Sequence, residues 1–308
     1  MNVLVVGANG QLAQALMHLA PSGTTCTPLT RADLDVRDSD AVLRAVTGAE
    51  PDLVINGAAY NLVDKAETET DSAFGINAVG PANLARAARE AGAPLVHFST
   101  DYVFDGEQRT PYVETDAPRP LGVYAASKLA GENVTLAASQ RHIAIRVCRL
   151  FGPTLADGPG SSKKPAGNFP LLMLRLASER EFVRVVDDQM GTPTYTPDLA
   201  RGVWQLVEKL LPTGQGGLFQ ITNAGEVSFH EYAREIFRFA GADCRVEPVS
   251  SAEYGAASAR PLYSTMSNAK AHGVGMVPLR HWRDALHEFL TEHAGVSASH
   301  ATSDEASR

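Results

Sequence analysis

Apolar positions along this chain switch repeatedly between two periods. Val3–Val6 is a short unbroken apolar run ending at Gly7, after which Leu12, Leu16 and Leu19 recur at helical spacing until Pro21. The pattern reads as strand, turn, helix. It returns with Asp52–Asn56 as a strand, Ala73–Ala91 as a long Ala-rich helix closed by Gly92, and Pro94–Ser99 as a strand. Ser127–Ala138 is then a helix and Ile143–Leu150 a strand closed by Gly152. Alternating units of this kind predict an α/β fold, a parallel sheet with helices on both faces.

After Gly152 the regularity fades. Thr154–Gly167, rich in Gly, Pro, Ser and Lys, is expected to be a surface loop. Helices are predicted at Pro170–Ser178, Pro197–Leu210, Phe229–Ala240 and His281–His293, and strands near Phe182–Val186, Leu218–Thr222 and Arg245–Val249. This mixture suggests one domain over residues 1–150, rejoined by parts of 181–224, and a smaller one formed mainly by 151–294. Residues 295–308, small, polar and aperiodic, are expected to be a disordered tail.

Composition narrows the class. With 308 residues, 44 % apolar and 20 % charged, the chain is long enough for two joined units, and no stretch approaches the roughly 20 apolar residues that cross a bilayer. Met1-Asn2 runs straight into the first strand without a signal-type segment, so a cytoplasmic protein with no membrane partner is expected. Cys26, Cys148 and Cys244 are distant and odd in number, which fits reduced thiols better than a zinc site or redox pair. A net charge of −8 disfavours a general nucleic-acid surface. Asp187-Asp188 reads as a turn, and no further acid cluster supports a metal.

Gly7-Ala8-Asn9-Gly10-Gln11-Leu12-Ala13 lies where the first strand hands over to a helix, the context in which a GxxGxxG-like run binds a dinucleotide. Gly7 permits the tight turn, Gly10 lets backbone approach a pyrophosphate, and small Ala13 keeps helix and sheet close. A ribose reader is expected after the second strand, at Leu29-Thr30-Arg31-Ala32-Asp33-Leu34-Asp35. No acid sits directly at that strand end, whereas Arg31 suits a 2′-phosphate, so NADPH is favoured with NADH as the alternative. Surface pairing of Arg31 with Asp33 or Asp35 explains the same residues without a ligand. Asn56-Gly57-Ala58-Ala59-Tyr60 offers small residues against a cofactor, or simply a close-packed turn. His97, between Val96 and Phe98, reads as a satisfied core histidine.

Val123-Tyr124-Ala125-Ala126-Ser127-Lys128 carries the chemistry. On a helix Tyr124 and Lys128 share one face, so an ammonium sits beside a phenol and is expected to lower its pKa toward working pH. Alone, such a pair is common on solvated helices. Its force comes from Ser99-Thr100-Asp101 at the carboxyl edge of the sheet, where Thr100 offers a hydroxyl to a carbonyl oxygen.

Gly7-x-x-Gly10-x-x-Ala13, Ser99-Thr100-Asp101-Tyr102-Val103-Phe104 and Tyr124-x-x-x-Lys128 with Leu129-Ala130-Gly131-Glu132 together resemble the extended short-chain dehydrogenases/reductases. Within them the chain looks most like the dTDP-4-dehydrorhamnose reductase family. The likeness extends through Val63-Asp64-Lys65-Ala66-Glu67, Asp188-Gln189-x-Gly191-x-Pro193-Thr194 and Ala259-Arg260-Pro261-x-x-Ser264, to about residue 292. It implies a Rossmann-type doubly wound parallel sheet with a smaller α/β substrate-binding domain. It further implies hydride transfer from NAD(P)H to the C4 ketone of a nucleoside-diphosphate deoxyhexose.

Carried over by position, Gly7, Asn9, Gly10, Gln11 and Leu12 hold the pyrophosphate. Arg31, Asp35, Val36, Ala58, Ala59 and Tyr60 border the adenosine half. Thr100 and Asp101 contact the substrate, Tyr124 protonates the new alkoxide, and Lys128 anchors the nicotinamide ribose. Asn168 and Arg260 are implied sugar-nucleotide contacts, Arg260 because a guanidinium matches a diphosphate in two directions. Where the family pattern has a tryptophan beside the sugar, this chain has Arg149, which puts a cation in the pocket. Ala15 replaces an acid that holds a subunit-bridging metal in some members, so no metal is expected, and the resemblance allows a homodimer. Tyr102 after Asp101, where dehydratases carry Glu, disfavours dehydration. An epimerase of the same fold, or a non-catalytic NADP-binding regulatory subunit, are the alternatives.

Overall fold

The computed structural model describes residues 1–153 and 168–296. The loop expected at 154–167 and nearly all of the tail expected at 295–308 lie outside the described residues.

Six parallel strands form the main sheet, in the order Gly217–Gln220, Ile143–Val147, Leu95–Thr100, Leu53–Asn56, Asn2–Val6 and Thr25–Leu29. The chain moves outward from Asn2–Val6 to Thr25–Leu29, then crosses back to Leu53–Asn56 on the other side. The crevice between the first and third strands is therefore the switch point where open α/β sheets take ligands. Both sheet faces are covered, which is why the four inner strands are buried and mostly apolar along their length, whereas the edge strand Thr25–Leu29 is largely exposed. Gln11–His18 and Thr196–Leu210 pack one face, with Trp204 donating its indole N–H to Leu16 O at 3.0 Å. Ser39–Ala49 and Gly80–Glu90 pack the other.

A second core gathers Phe151, Tyr195, Tyr232, Trp282 and Phe289 beneath the helices Phe169–Glu179, Phe229–Ala240 and Trp282–His293. Within residues 181–224, Gly217–Gln220 joins the main sheet edge, whereas Phe182–Val186 pairs in parallel with Arg245–Val249 in this second unit.

Two elements differ from expectation in ways that shape the site. The helix expected from Ala73 comprises Thr70–Phe74, a π-helical turn at Gly75–Val79, and Gly80–Glu90. Such turns re-aim single side chains, and this one buries Asn77 completely. The strand expected over Ile143–Leu150 ends at Val147, because Arg149 adopts a left-handed φ of 44°. Leu150–Phe151 then pairs with Thr194–Tyr195, and the chain leaves the main sheet for the second core.

Candidate active site

The glycine-rich turn sits at the switch point. Gly7 has φ 75°, and a Cβ there would stand 2.4 Å from Ala58 N, so the turn and the Asn56–Tyr60 segment interlock only with glycine. Asn9 lies in the same turn. Gly10 opens the helix Gln11–His18 with no side chain capping it, which leaves the amides of the first turn facing a ligand. Leu12 is buried in the sheet core and offers only its backbone, while the Gln11 side chain turns away to Gly152 O.

At the adenosine end, Asp35 is held by Arg37 through contacts of 2.6–3.1 Å, and Asp33 by Thr30. Those pairings hold Asp35 down at about 2, chiefly through the Arg37 hydrogen bonds. They leave the exposed Arg31 guanidinium without a hydrogen-bond partner among the described residues. Val36 is buried against Gly80, and its carbonyl accepts from Asn83 Nδ2 at 3.0 Å. A bare helix N-terminus at the switch point, and a guanidinium that acts on Asp35 through its charge alone, fit a phosphorylated dinucleotide.

The helix that carries Tyr124 and Lys128 is Val123–Ala138, longer at its start than the sequence predicts, so the two do lie one turn apart on one helix. Their side chains part company. Lys128 is buried and gives its ammonium to Phe98 O, and burial draws it down to about 8 against the pull of Glu132. Tyr124 is pushed up by burial and then by the charges of Asp101 and Tyr102; only a hydrogen bond with Thr100 lowers it. The expected lowering of the phenol by the ammonium is thus not found, because that ammonium faces a carbonyl. A phenol held neutral is a proton donor.

Behind this helix runs a chain of hydrogen bonds that the sequence does not reveal. Asn77 Nδ2 donates to Tyr60 O at 2.9 Å and Ser127 Oγ at 3.0 Å, and its Oδ1 accepts from Tyr60 N at 2.9 Å. Ser127 Oγ in turn donates to Tyr124 O at 2.8 Å. Asn77 therefore ties the Ala58-Ala59-Tyr60 segment to the helix bearing the phenol. The signal in the sequence is an asparagine within an Ala-rich helical run, one of two there, Asn77 and Asn83. His97 is buried and neutral, with Nδ1 3.1 Å from Asn56 Nδ2, but its Nε2 has no partner among the described residues, so it is only half satisfied.

Thr100 ends the fourth strand and Asp101 opens the 3-10 turn Asp101–Val103 that follows, and both are buried. Asp101 takes Thr100 Oγ1 at 3.1 Å on one oxygen, and Ser264 Oγ at 2.6 Å and Cys148 Sγ at 3.1 Å on the other. Its carboxylate is committed to the protein. Beyond it, Tyr102 packs edge-on to Tyr124 with ring centroids 6.0 Å apart and lines a cleft of about 1090 Å³. In the sequence Tyr102 speaks only against dehydration; in the fold it bridges phenol and cleft.

Arg260 lines the same cleft, with Nη1 on Ser258 O at 2.9 Å and Nη2 on Asp64 at 2.8 Å. Arg149 stands behind the wall. Its guanidinium lies 3.8 Å over the Phe229 ring and donates to Val227 O and Gln189 O, both at 2.8 Å. Asn168 caps Phe169–Glu179 and donates to Gly152 O at 2.7 Å, the carbonyl that also receives Gln11. The Tyr102 ring, packed on Tyr124 and lining the cleft that holds Arg260, is the contact that links the phenol to the cleft.

Residues 1–294 match the family described as RmlD substrate binding domain. The chain is 40 % identical over 302 residues to a dTDP-4-dehydrorhamnose reductase of Mycobacterium tuberculosis, covering 96 % of this chain and 94 % of that one. It is 38 % identical over 298 residues to the enzyme of the same name from Mycolicibacterium smegmatis, covering 96 % and 86 %. Among solved structures, a dTDP-4-dehydrorhamnose reductase of Bacillus anthracis in complex with NADP superposes with a TM-score of 0.85 at 37 % identity, covering 94 % of this chain and 99 % of that one. With the motifs in place along nearly its whole length, the chain belongs to the dTDP-4-dehydrorhamnose reductase family.

Proposed function

We propose that this protein uses NADPH to reduce the C4 ketone of a nucleoside-diphosphate 6-deoxyhexose, a step of deoxysugar biosynthesis. The observation that carries the reading is the Tyr124 phenol, kept neutral beside Thr100 at the carboxyl edge of the sheet, between the dinucleotide crevice and the cleft of Tyr102 and Arg260. We take the Gly7–Leu12 turn, Arg31 and the Ala58-Ala59-Tyr60 segment as the residues that hold the dinucleotide, which supplies hydride when bound.

The protein's own part is then threefold. Tyr124 donates its proton to the oxygen that becomes an alkoxide, a role that requires a protonated phenol, which the upward shift of Tyr124 by burial favours. Thr100, which gives its hydroxyl proton to Asp101 here, turns it to the same oxygen as charge develops there. Lys128, through Phe98 O, fixes the strand end that carries Thr100 and supplies a cation toward the ribose side. Arg260 and Tyr102 face the nucleotide portion of the substrate, and Arg149 shapes the wall behind Phe229. In this reading residues 1–150, with returns from 181–224, serve the dinucleotide and 151–294 mainly the sugar nucleotide. Among the described residues no helix is long and apolar enough to cross a membrane. A cytoplasmic enzyme without nucleic-acid or membrane partners, compatible with a homodimer, follows from the reading.

The test is absorbance at the nicotinamide band with a panel of 4-keto-6-deoxy sugar nucleotides. Stoichiometric consumption of NADPH is expected, with a loss of roughly two or more orders of magnitude in Tyr124→Phe. No turnover with any member overturns the substrate class. Binding of NADPH without turnover indicates a regulatory subunit, and interconversion without net consumption an epimerase.

A further inference from the structure

The segment Val63-Asp64-Lys65-Ala66-Glu67 has no part in the chemistry above, yet its two carboxylates meet both sides of the site. Glu67 Oε1 accepts hydrogen bonds from Val123 N at 3.0 Å and from Ser258 Oγ at 2.8 Å. Val123 is the first residue of the catalytic helix, and Gly122 before it brings no capping side chain. A carboxylate from 56 residues upstream therefore takes up an otherwise orphaned amide and places negative charge at the positive end of the helix dipole. Asp64 grips the same incoming arm, its Oδ1 accepting Ser258 N at 3.1 Å and its Oδ2 accepting Arg260 Nη2 at 2.8 Å. Arg260 closes the loop by donating to Ser258 O at 2.9 Å.

We propose that Glu67 is a positioning residue for the reduction. It locks the Ser258–Arg260 arm of the sugar-nucleotide cleft onto the start of the catalytic helix, so that seating the arm and placing the Tyr124 phenol become one event. Gly122 is matched to this junction. Its backbone is extended, at φ −149° and ψ 172°, which any residue adopts. Yet a Cβ there would stand 2.5 Å from Ser258 Oγ and 2.6 Å from Glu67 Oε1. The junction, not the chain conformation, requires glycine. Tyr124 is the next residue after Val123, so a displacement of the junction passes directly to the phenol.

The inference rests on the reductase reading, and its test separates the two. Steady-state kinetics with NADPH and a 4-keto sugar nucleotide are compared for wild type, Glu67→Ala, Glu67→Gln and Gly122→Ala, together with the affinities for NADPH and for dTDP by calorimetry. In Glu67→Ala, kcat falls about tenfold or more and the sugar-nucleotide KM rises, since small misplacements of reacting groups cost that much. The NADPH affinity stays within about twofold, because the Gly7–Leu12 turn is untouched. Glu67→Gln keeps an acceptor oxygen and recovers most of kcat. Gly122→Ala removes no group but pries the junction open, so it reproduces the Glu67→Ala signature and carries the test should Glu67→Ala fold poorly. The dTDP affinity falls in Glu67→Ala and Gly122→Ala whether or not turnover is seen. The proposal is overturned if both variants keep kcat, KM and dTDP affinity within twofold of wild type, or if Glu67→Gln is no better than Glu67→Ala. A wild type that binds dTDP but reduces nothing sinks the reductase reading instead, and the dTDP affinities then judge the junction.

Discussion

Ser264 Oγ donates a hydrogen bond to Asp101 Oδ2 at 2.6 Å, joining the end of the fourth strand to a residue 163 positions later. Both are buried, and Cys148 Sγ and Thr100 Oγ1 complete the shell around the carboxylate. Asp101 therefore holds Thr100 in place from behind. Removing one donor strips a hydrogen bond from a buried charge, so Ser264→Ala should lose about 1–3 kcal/mol of stability. Urea unfolding checks this: the midpoint is expected to fall with an unchanged m value. An unchanged midpoint means that the contact is not formed in solution.

Lys128 sets a pH limit. Its ammonium is drawn down to about 8 from 10.5 by burial, while Tyr124 is pushed up and stays protonated throughout that range. As pH rises past about 8 the lysine charge is lost, and kcat/KM, which reports the free enzyme, should fall tenfold per unit. Lys128→Ala should be slow and flat across the same range. The sign for stability is opposite. Between about 8 and 10.5 the unfolded chain binds the proton that the folded chain has released, so stability contributed by this group rises with pH there. A rate profile flat to pH 10 in wild type contradicts the assignment.

The sheet and most helices were legible because buried parallel strands read as apolar runs and amphipathic helices keep their period; Phe182–Val186, Phe229–Ala240 and Arg245–Val249 match residue for residue. Of the candidate site, what is contiguous was legible as local structure: Tyr124 and Lys128 lie one turn apart on one helix, as their spacing predicts. What stayed hidden is long-range. Nothing local says that Asn77 reaches Tyr60 and Ser127, that Glu67 caps a helix 56 residues on, or that Asp101 spends its carboxylate on Ser264. Nor does periodicity foresee the left-handed turn at Arg149, which depends on where the chain must leave the sheet.

Arg31 should set the choice of dinucleotide. Asp33 and Asp35 are taken by Thr30 and Arg37, so the Arg31 guanidinium is available to a 2′-phosphate. Arg31→Ala should raise KM for NADPH about tenfold or more while leaving KM for NADH nearly unchanged, since only the phosphorylated ribose loses a charge-assisted contact. Equal effects on both cofactors mean that Arg31 acts through the fold of the loop and not through the phosphate.

Arg149 offers a choice between two roles that one conservative substitution separates. Its two terminal nitrogens bind Val227 O and Gln189 O, and its plane covers Phe229, so the cation braces two residues that line the cleft. A lysine keeps the charge but cannot span both carbonyls or stack as a plane. If the guanidinium is a brace, Arg149→Lys should lose about 2 kcal/mol in chemical unfolding, because a partly buried carbonyl is orphaned, and should also raise the sugar-nucleotide KM as Gln189 and Phe229 shift. If instead the charge alone reads the sugar, Arg149→Lys, which keeps that charge, should leave both stability and KM close to wild type. The committed hydrogen bonds favour the first outcome. The NADPH affinity should be untouched in either case, since the hydrogen bonds of this side chain go to Val227 O and Gln189 O, neither of which belongs to the Gly7–Leu12 turn or the Arg31 loop.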